Sequence, residues 1–217
     1  MLKVKEVFAT VQGEGHQTGT PAVFVRFTGC NLWSGRESGR EKARGGCGAW
    51  CDTDFVGGHR RTAEEVVAIV GECAQGWLKP LVVLTGGEPM LQLRTPQGKA
   101  LVAMLRAADY TVAIETNGTQ AVDLDGVHIV VSPKPLTVAP HCVDHLVQRK
   151  GHTLKVVWPT AFNLDHLATW DFPNKFLQPR DDGDGPPTGD ALQGCISEAA
   201  RLGWRVSIQS HKLVDLP

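Results

Sequence analysis

Leu81-Val82-Val83-Leu84 runs directly into Thr85-Gly86-Gly87-Glu88-Pro89, an apolar, β-branched segment that breaks off into a polar, turn-forming one. A strand that is apolar throughout is buried on both faces, as in a parallel sheet covered by helices. The same punctuation recurs along the chain. Ala22 to Phe27 is followed by Thr28-Gly29-Cys30, Thr111 to Glu115 by Thr116-Asn117-Gly118, and His128 to Val131 by Ser132-Pro133-Lys134. Leu154 to Val157 and Arg205 to Gln209 complete the strand candidates. Helical spacing fills intervals between them: Thr62 to Cys73, opened by a threonine cap and Ala-Glu-Glu, then Gly98 to Ala108 and Asp190 to Leu202. Strands alternating with helices predict a parallel α/β sheet. A complete eightfold barrel takes about 250 residues, and 217 are present. The expected fold is therefore α/β, a partial (open) TIM-like barrel of about six parallel strands with covering helices, one domain over residues 1–217. Loops at the carboxyl ends of such strands converge on one opening, where the site is built.

With 42% hydrophobic and 21% charged residues, the chain has the balance of an ordinary globular domain that buries a core without staples. A formal net charge of −1 supplies no general field for nucleic acid or a membrane surface, which favours a small-molecule ligand. The start MLKVKEVFAT lacks the layout of a secretory signal, and no apolar run approaches the roughly eighteen residues of a membrane span. The expectation is a cytoplasmic protein without nucleic-acid or membrane partners. In that reducing compartment six cysteines serve as metal ligands or core thiols rather than disulfides. Cys73, Cys142 and Cys195 stand alone and read as small buried hydrophobes. Cys30, Cys47 and Cys51 share one Gly-rich, charged segment, a ligand loop at about residues 28–55.

A structural zinc site takes four protein ligands, and no fourth Cys or His stands at normal spacing, His59 being nearest. Three cysteines suit a 4Fe-4S cluster whose open iron chelates the amino and carboxylate groups of S-adenosylmethionine. Electron transfer then breaks a carbon–sulfur bond and releases a 5′-deoxyadenosyl radical, the protein supplying placement and shielding. On thiol count alone, a metal site and coincidence stay equally open. The flanking segments decide: VQGEG at 11–15, FTGCNLWSGRE at 27–37, CDTDF at 51–55 and TGGEP at 85–89, with ETNG at 115–118, VSPK at 131–134, QP at 178–179 and QSHK at 209–212. Together they resemble the 7-carboxy-7-deazaguanine synthase family of radical S-adenosylmethionine enzymes, over almost the whole chain. The cysteine spacing departs from that pattern. The usual arrangement leaves three residues and then two, and one branch of the family widens the first gap to fourteen. Here sixteen residues separate Cys30 from Cys47 and three separate Cys47 from Cys51. The extra residue is expected as a bulge at Gly48-Ala49, with Cys47 kept as a ligand.

The resemblance implies a lyase that converts 6-carboxy-5,6,7,8-tetrahydropterin to 7-carboxy-7-deazaguanine and ammonia in 7-deazapurine (queuosine-type) biosynthesis, recycling S-adenosylmethionine with help from magnesium. It implies cluster ligation by Cys30, Cys47 and Cys51, passage of Trp50, Cys51 and Asp52 along the adenosyl moiety, and backbone approach to the methionine group at Gly87, whose alternative is a tight strand-end turn. Ser132, Pro133 and Lys134, then Gln178, Pro179, Arg180 and Asp181, match later cofactor contacts. Lys134 is alternatively a snorkelling surface lysine, and Arg180 and Asp181 a solvated loop. The pterin matches Val11 (through its backbone), Gln12, Gly13, Glu14, Arg26 and Thr85. Glu14 would accept from the pterin's amino and ring N–H edge, and Arg26 would fork onto its carboxylate unless it is a solvent-facing strand charge. Thr53 matches the magnesium ligand, an atypical lone hydroxyl that needs the substrate carboxylate to complete the site. Turn capping is the alternative for Asp52 and Asp54. The terminal carboxylate of Pro217 would meet the pterin, against the alternative of a docked apolar tail. An electron donor such as flavodoxin and a homodimer are implied too. Two other readings stay open, another radical S-adenosylmethionine enzyme such as a glycyl-radical activase and a zinc-binding interaction module.

The clustering of thiols carries a direct prediction. Cys30→Ala, Cys47→Ala and Cys51→Ala each abolish iron binding, whereas Cys73→Ala, Cys142→Ala and Cys195→Ala retain it. Iron per chain after anaerobic reconstitution is the readout, and full iron in Cys47→Ala would remove that residue from the ligand set.

Overall fold

The computed structural model describes residues 1–181, 189–214 and 216. Its strands are β1 (Leu2–Val11), β2 (Pro21–Phe27), β3 (His59–Arg61), β4 (Leu81–Gly86), β5 (Thr111–Thr116), β6 (His128–Val131), β7 (Thr153–Trp158), β8 (Asn174–Pro179) and β9 (Arg205–Val206). They form one open sheet in the order β3-β1-β2-β4-β5-β6-β7-β8-β9. Every neighbouring pair from β2 to β9 is parallel. β1 runs antiparallel to β2, and β3 antiparallel to β1. The helices are α1 (Ala63–Cys73), α2 (Met90–Leu93), α3 (Pro96–Ala107), α4 (Leu164–Ala168), α5 (Gly189–Leu202) and α6 (Ser210–Leu213). No helix among the described residues is long and apolar enough to cross a membrane.

The open, mostly parallel sheet matches the expected class, with seven parallel strands in place of about six. The added one, β8, has just Phe176 and Leu177 between its polar start and the Gln178-Pro179 end, too brief an apolar run to stand out. β1 escapes the reading because a register shift between Val4 and Glu6 breaks its alternation. The strand expected over Arg205 to Gln209 is confined to Arg205–Val206. Ser207 N makes one more ladder-like bond to Leu177 O at 2.8 Å, and the chain then turns toward the loop after β1. Helix α1 begins as expected, with Thr62 Oγ1 accepting from Glu65 N (3.2 Å) and Glu65 Oε2 from Thr62 N (2.7 Å), a reciprocal cap. Helix α3 starts two residues earlier than Gly98, at a Thr95 cap followed by Pro96 in the first turn.

Alternation along the parallel strands divides their side chains between two faces. Val23, Val25 and Phe27 of β2, Val82 and Leu84 of β4, and Val112 and Ile114 of β5 pack outward against α1 and α3 through Val66, Val70, Leu101 and Leu105. Leu154, Val156 and Leu177 do the same under α4 and α5. Ala22, Phe24, Leu81, Val83 and Ala113 face inward as a smaller apolar floor. The next inward position along each strand is therefore where its polar residue can open onto the site.

At the amino-terminal edge of β6 and β7 three imidazoles stack, His16 on His128 at 5.9 Å and His128 on His152 at 4.6 Å between ring centres. Each ring has a nitrogen matched to a neighbouring group. His152 Nδ1 accepts from Ile129 N at 3.0 Å, His16 Nδ1 accepts from the Arg205 guanidinium at 3.2 Å, and His128 Nε2 lies 3.1 Å from Thr153 Oγ1. Burial first, then the two neighbouring imidazoles, pulls His128 down from 6.5 to about 4. Between those values the unfolded chain binds a proton that the folded chain excludes, so stability falls as pH drops through that window. His128 accounts for roughly 1 kcal/mol of that loss once its partial exposure is allowed for. Denaturant unfolding at pH 7 and pH 5 should show a shallower loss in His128→Gln than in the native chain, and identical losses would assign the acid sensitivity to other groups.

Candidate active site

Above the apolar floor, the carboxyl ends of the strands turn polar residues into a cavity of about 430 Å³. Arg26 of β2, Thr85 of β4, Glu115 of β5, Lys155 of β7 and Gln178 of β8 all reach it. Arg26 and Thr85 are in direct parallel register, and Val157 and Gln178 are another such pair on the far side. The solvent-facing alternative for Arg26 fails, because its inward position follows from Val25 and Phe27 packing outward.

Cys30, Cys47 and Cys51 line one wall of this cavity. The expected bulge between Cys47 and Cys51 is a closed turn. Cys47 O accepts from Trp50 N at 3.0 Å and from Cys51 N at 2.7 Å, and residues four apart in such a turn face the same side. The lengthened gap thus still brings both sulfurs to one wall. The longer insertion is absorbed by a 3₁₀ turn, Glu37–Lys42, fastened by Arg40, whose Nη1 donates to Gly48 O at 2.6 Å while its guanidinium lies 4.6 Å from the Trp33 ring centre. Burial raises the Cys30 thiol and pushes Cys47 up to about 11, with Lys134 pulling the latter back. Thiols so placed are inert when free and charged when a metal holds them. Among the described residues no three His, Cys, Asp or Glu side chains close on a single metal ion. Three thiols without a fourth protein ligand fit a 4Fe-4S cluster with an open iron better than a structural zinc, which takes four.

The turn after β4 presses on this wall. A Cβ at Gly87 would lie 2.3 Å from Gly29 O and 2.9 Å from the Cys30 Cβ. Contact between two loops is thus a physical reason for glycine at 87. Lys134 is turned inward, not snorkelling: Nζ donates to Ser132 Oγ at 2.5 Å and lies 5.7 Å from the Trp50 ring centre, and burial lowers its pKa.

The opposite wall is built around two carboxylates. Glu14 Oε1 accepts from Gln209 Nε2 at 2.7 Å and from Gln178 Nε2 at 3.2 Å, and Oε2 closes an ion pair with Lys155 Nζ. Glu115 accepts from Gln12 Nε2 at 3.1 Å and Thr85 Oγ1 at 3.4 Å, and burial raises its pKa. Arg26 stands near the rim with Nε 3.1 Å from Glu6 Oε1, a charge contact without hydrogen-bond alignment, and its guanidinium 5.4 Å from the Phe8 ring centre. Helix α6 docks on the loop after β1. Ser210 N and Oγ donate to Gly13 O at 3.0 and 3.1 Å, and a Cβ at Gly13 would sit 2.0 Å from His211 Nδ1. Lys212 Nζ then reaches Asp52 Oδ2 at 2.7 Å and Asp181 Oδ2 at 2.5 Å.

The cavity gathers most residues singled out in the sequence. Val11, Gln12, Gly13 and Glu14 line it, as do Trp50, Asp52, Thr53 and Thr85. Gly87, Ser132, Lys134 and Gln178 do likewise. Pro133, Pro179, Arg180 and Asp181 are not among its lining residues, although Asp181 touches it indirectly through Lys212. Pro217 lies outside the described residues. Asp54 pairs with Lys5 at 2.6 Å and accepts from Val56 N at 3.0 Å, the capping alternative. Glu115, Lys155, Gln209, His211 and Lys212 line the cavity without having been assigned roles. For Lys155 a signal existed: a charge inside the apolar run Leu154 to Val157 of a doubly buried strand is out of place unless it is paired.

Proteins carrying one name match this chain from end to end. The 7-carboxy-7-deazaguanine synthase of Caulobacter vibrioides is 44% identical over 223 residues, covering 99% of this chain and 98% of its own. The protein of that name from Burkholderia multivorans is 45% identical over 227 residues, with 99% and 98% covered. The chain belongs to the 7-carboxy-7-deazaguanine synthase family. No general family model matches it. The crystal structure of QueE from Escherichia coli is similar with a TM-score of 0.69 at 26% identity, over 97% of this chain and 94% of that one. The 7-carboxy-7-deazaguanine synthase fold therefore accommodates the lengthened cysteine spacing.

The fit between the two loops is testable. Gly87→Ala should displace the Cys30 loop and lower the iron retained after anaerobic reconstitution by several-fold, while Gly71→Ala, where a Cβ meets nothing within 4 Å, should leave iron unchanged. Equal iron in the two variants would mean that the loops yield without cost.

Proposed function

We propose that this chain acts as a 7-carboxy-7-deazaguanine synthase, a radical S-adenosylmethionine lyase that converts 6-carboxy-5,6,7,8-tetrahydropterin to 7-carboxy-7-deazaguanine and ammonia. The observation that carries this reading is one cavity lined by three thiols and also by Glu14, Thr85 and Arg26: an acceptor for an amino edge, a hydroxyl, and a cation for a carboxylate. A 4Fe-4S cluster bound by Cys30, Cys47 and Cys51, with S-adenosylmethionine, would supply reductive carbon–sulfur cleavage and hence a hydrogen-abstracting radical.

The protein's own work is placement. Arg26 forks onto the pterin carboxylate, while Glu14 receives the amino and ring N–H edge. Gln12 and Thr85 hold Glu115 from both sides and keep that buried carboxyl from wandering into the substrate's space. Trp50, Asp52, Gly87, Ser132 and Lys134 border the cofactor side; Gln178, whose amide holds Glu14, together with Pro133, Pro179, Arg180 and Asp181, is assigned to the cofactor through the family match. Thr53 is the magnesium position. Asp54 is committed to Lys5 and Asp52 to Lys212, so the substrate's own carboxylate would complete that ion's coordination. The Pro217 carboxylate as a pterin contact, a flavodoxin-like electron donor, a homodimer and a cytoplasmic setting belong to the same reading, with queuosine-type 7-deazapurine synthesis as its pathway.

Arg26→Ala tests it. Turnover of the pterin should fall on the order of a hundred-fold, the scale for removing one side of a desolvated charge pair, while uncoupled reductive cleavage of S-adenosylmethionine persists. Loss of both activities with iron intact would make Arg26 a cofactor-side or structural residue. Zinc in place of iron in the anaerobically purified chain would overturn the reading altogether.

A further inference from the structure

We propose that Lys155 is the positioning residue for Glu14, its ammonium keeping the Glu14 carboxylate charged and aimed into the cavity so that the pterin's donor edge meets an acceptor. The inference rests on the reading of Glu14 as the group that receives that edge.

Lys155 sits in the middle of β7 with its side chain 7% exposed, between Leu154 and Val156, which pack into the outer core. A lysine this deep persists when a counter-charge accompanies it, and its ion pair is with Glu14, from a loop 141 residues away in sequence. Burial brings Lys155 down to about 8, so it is still an ammonium at neutral pH. Other titratable groups border it: Glu115 is engaged by Gln12 and Thr85, and His211 is a base whose pKa is lowered by burial and then by the charges of Lys212 and Lys155. Neither supplies a second cation for Glu14.

A carboxylate offers about four acceptor positions. On Glu14, Gln178 and Gln209 share Oε1, and Lys155 takes one position on Oε2. The position left on Oε2, next to the ammonium, is where the pterin's amino and ring N–H edge is received, the two donors sharing that oxygen. The two amides are neutral: they fix the direction of the carboxylate but cannot offset its charge. Lys155 does both. Without it, a carboxylate 14% exposed would favour taking up a proton and would then present a donor to a donor, leaving both unsatisfied.

Equilibrium titration of the pterin into iron-loaded enzyme with S-adenosylmethionine provides the test, alongside steady-state kinetics. Lys155→Met should weaken pterin binding and raise KM by about ten- to a hundred-fold, with S-adenosylmethionine affinity and iron content unchanged. Lys155→Arg, which keeps the charge, should restore most of the affinity. Because the effect passes through Glu14, Lys155→Met added to Glu14→Gln should cost nothing further. Where Lys155→Met alone fails to load iron, the double variant decides the matter: with the carboxylate gone it should load iron and bind the pterin as Glu14→Gln does, and failure to load would overturn the proposal. Unaltered affinity in Lys155→Met, or losses that multiply in the double variant, would overturn the proposal. Native enzyme in the same titration separates the two levels: no pterin binding there removes the substrate assignment, whereas native binding with an indifferent Lys155→Met removes the role of Lys155 alone.

Discussion

The carboxylate of Glu88 is buried where three strand-end loops meet. Its Oε1 accepts from Thr116 Oγ1 at 2.8 Å and from Met90 N at 3.0 Å, its Oε2 accepts from Asn117 N at 2.8 Å, and its own N–H donates to Gly29 O at 2.9 Å. An unpartnered carboxylate at this depth would be prohibitive; with these donors it fastens the loops after β2, β4 and β5 to one another. Burial still raises its pKa, a sign that the hydrogen bonds only partly offset desolvation. The tie extends sideways, since Asn117 Nδ2 donates to Asn31 Oδ1 at 3.0 Å and Asn31 Nδ2 to Thr119 Oγ1 at 2.7 Å. Cys30 lies between Gly29 and Asn31, so the first thiol is held by a network in which it takes no part.

The second wall depends on the chain ends in the same way. The loop after β1 bears Gln12 and Glu14, but Gly15 N donates to Ser207 Oγ at 2.9 Å and Ser207 Oγ to Gln178 Oε1 at 3.0 Å. Gln209 holds Glu14 and Ser210 holds Gly13 O. The working shape of the first loop therefore depends on the last strand lying against β8. Lys212 joins that end to the cysteine side through Asp52, so the two walls are coupled through the C-terminal segment as well as through the sheet.

Much of the site was legible because its residue types conflict with their surroundings. Three thiols in a Gly-rich segment and an arginine in an apolar strand are costly without a purpose, and both face the cavity. Motif neighbours do not all reach the cavity: Pro133 lies between Ser132 and Lys134, and Pro179 follows Gln178, yet neither proline lines it. Alternation and turn direction decide such cases, and both depend on where a strand ends. Glu115 and Lys155 were missed for the reverse reason. Each closes its polar interactions with residues distant in the chain, Glu115 with Gln12 and Thr85, Lys155 with Glu14; a charge in an apolar run signals that a partner exists, but one-dimensional spacing does not name it.

The sequence by itself determined the α/β class, because doubly buried strands must be continuously apolar and must end in residues that can turn. It also determined the location of the thiol loop and the family resemblance, both carried by contiguous motifs. Tertiary structure alone decided which way each polar side chain points, that a three-residue gap closes into a turn presenting Cys47 and Cys51 to the same wall, and that β9 stops at Val206 so Gln209 can reach Glu14. The reason is physical: hydrophobic periodicity is a local property of the chain, whereas a buried charge is settled by whichever partner the fold brings to it.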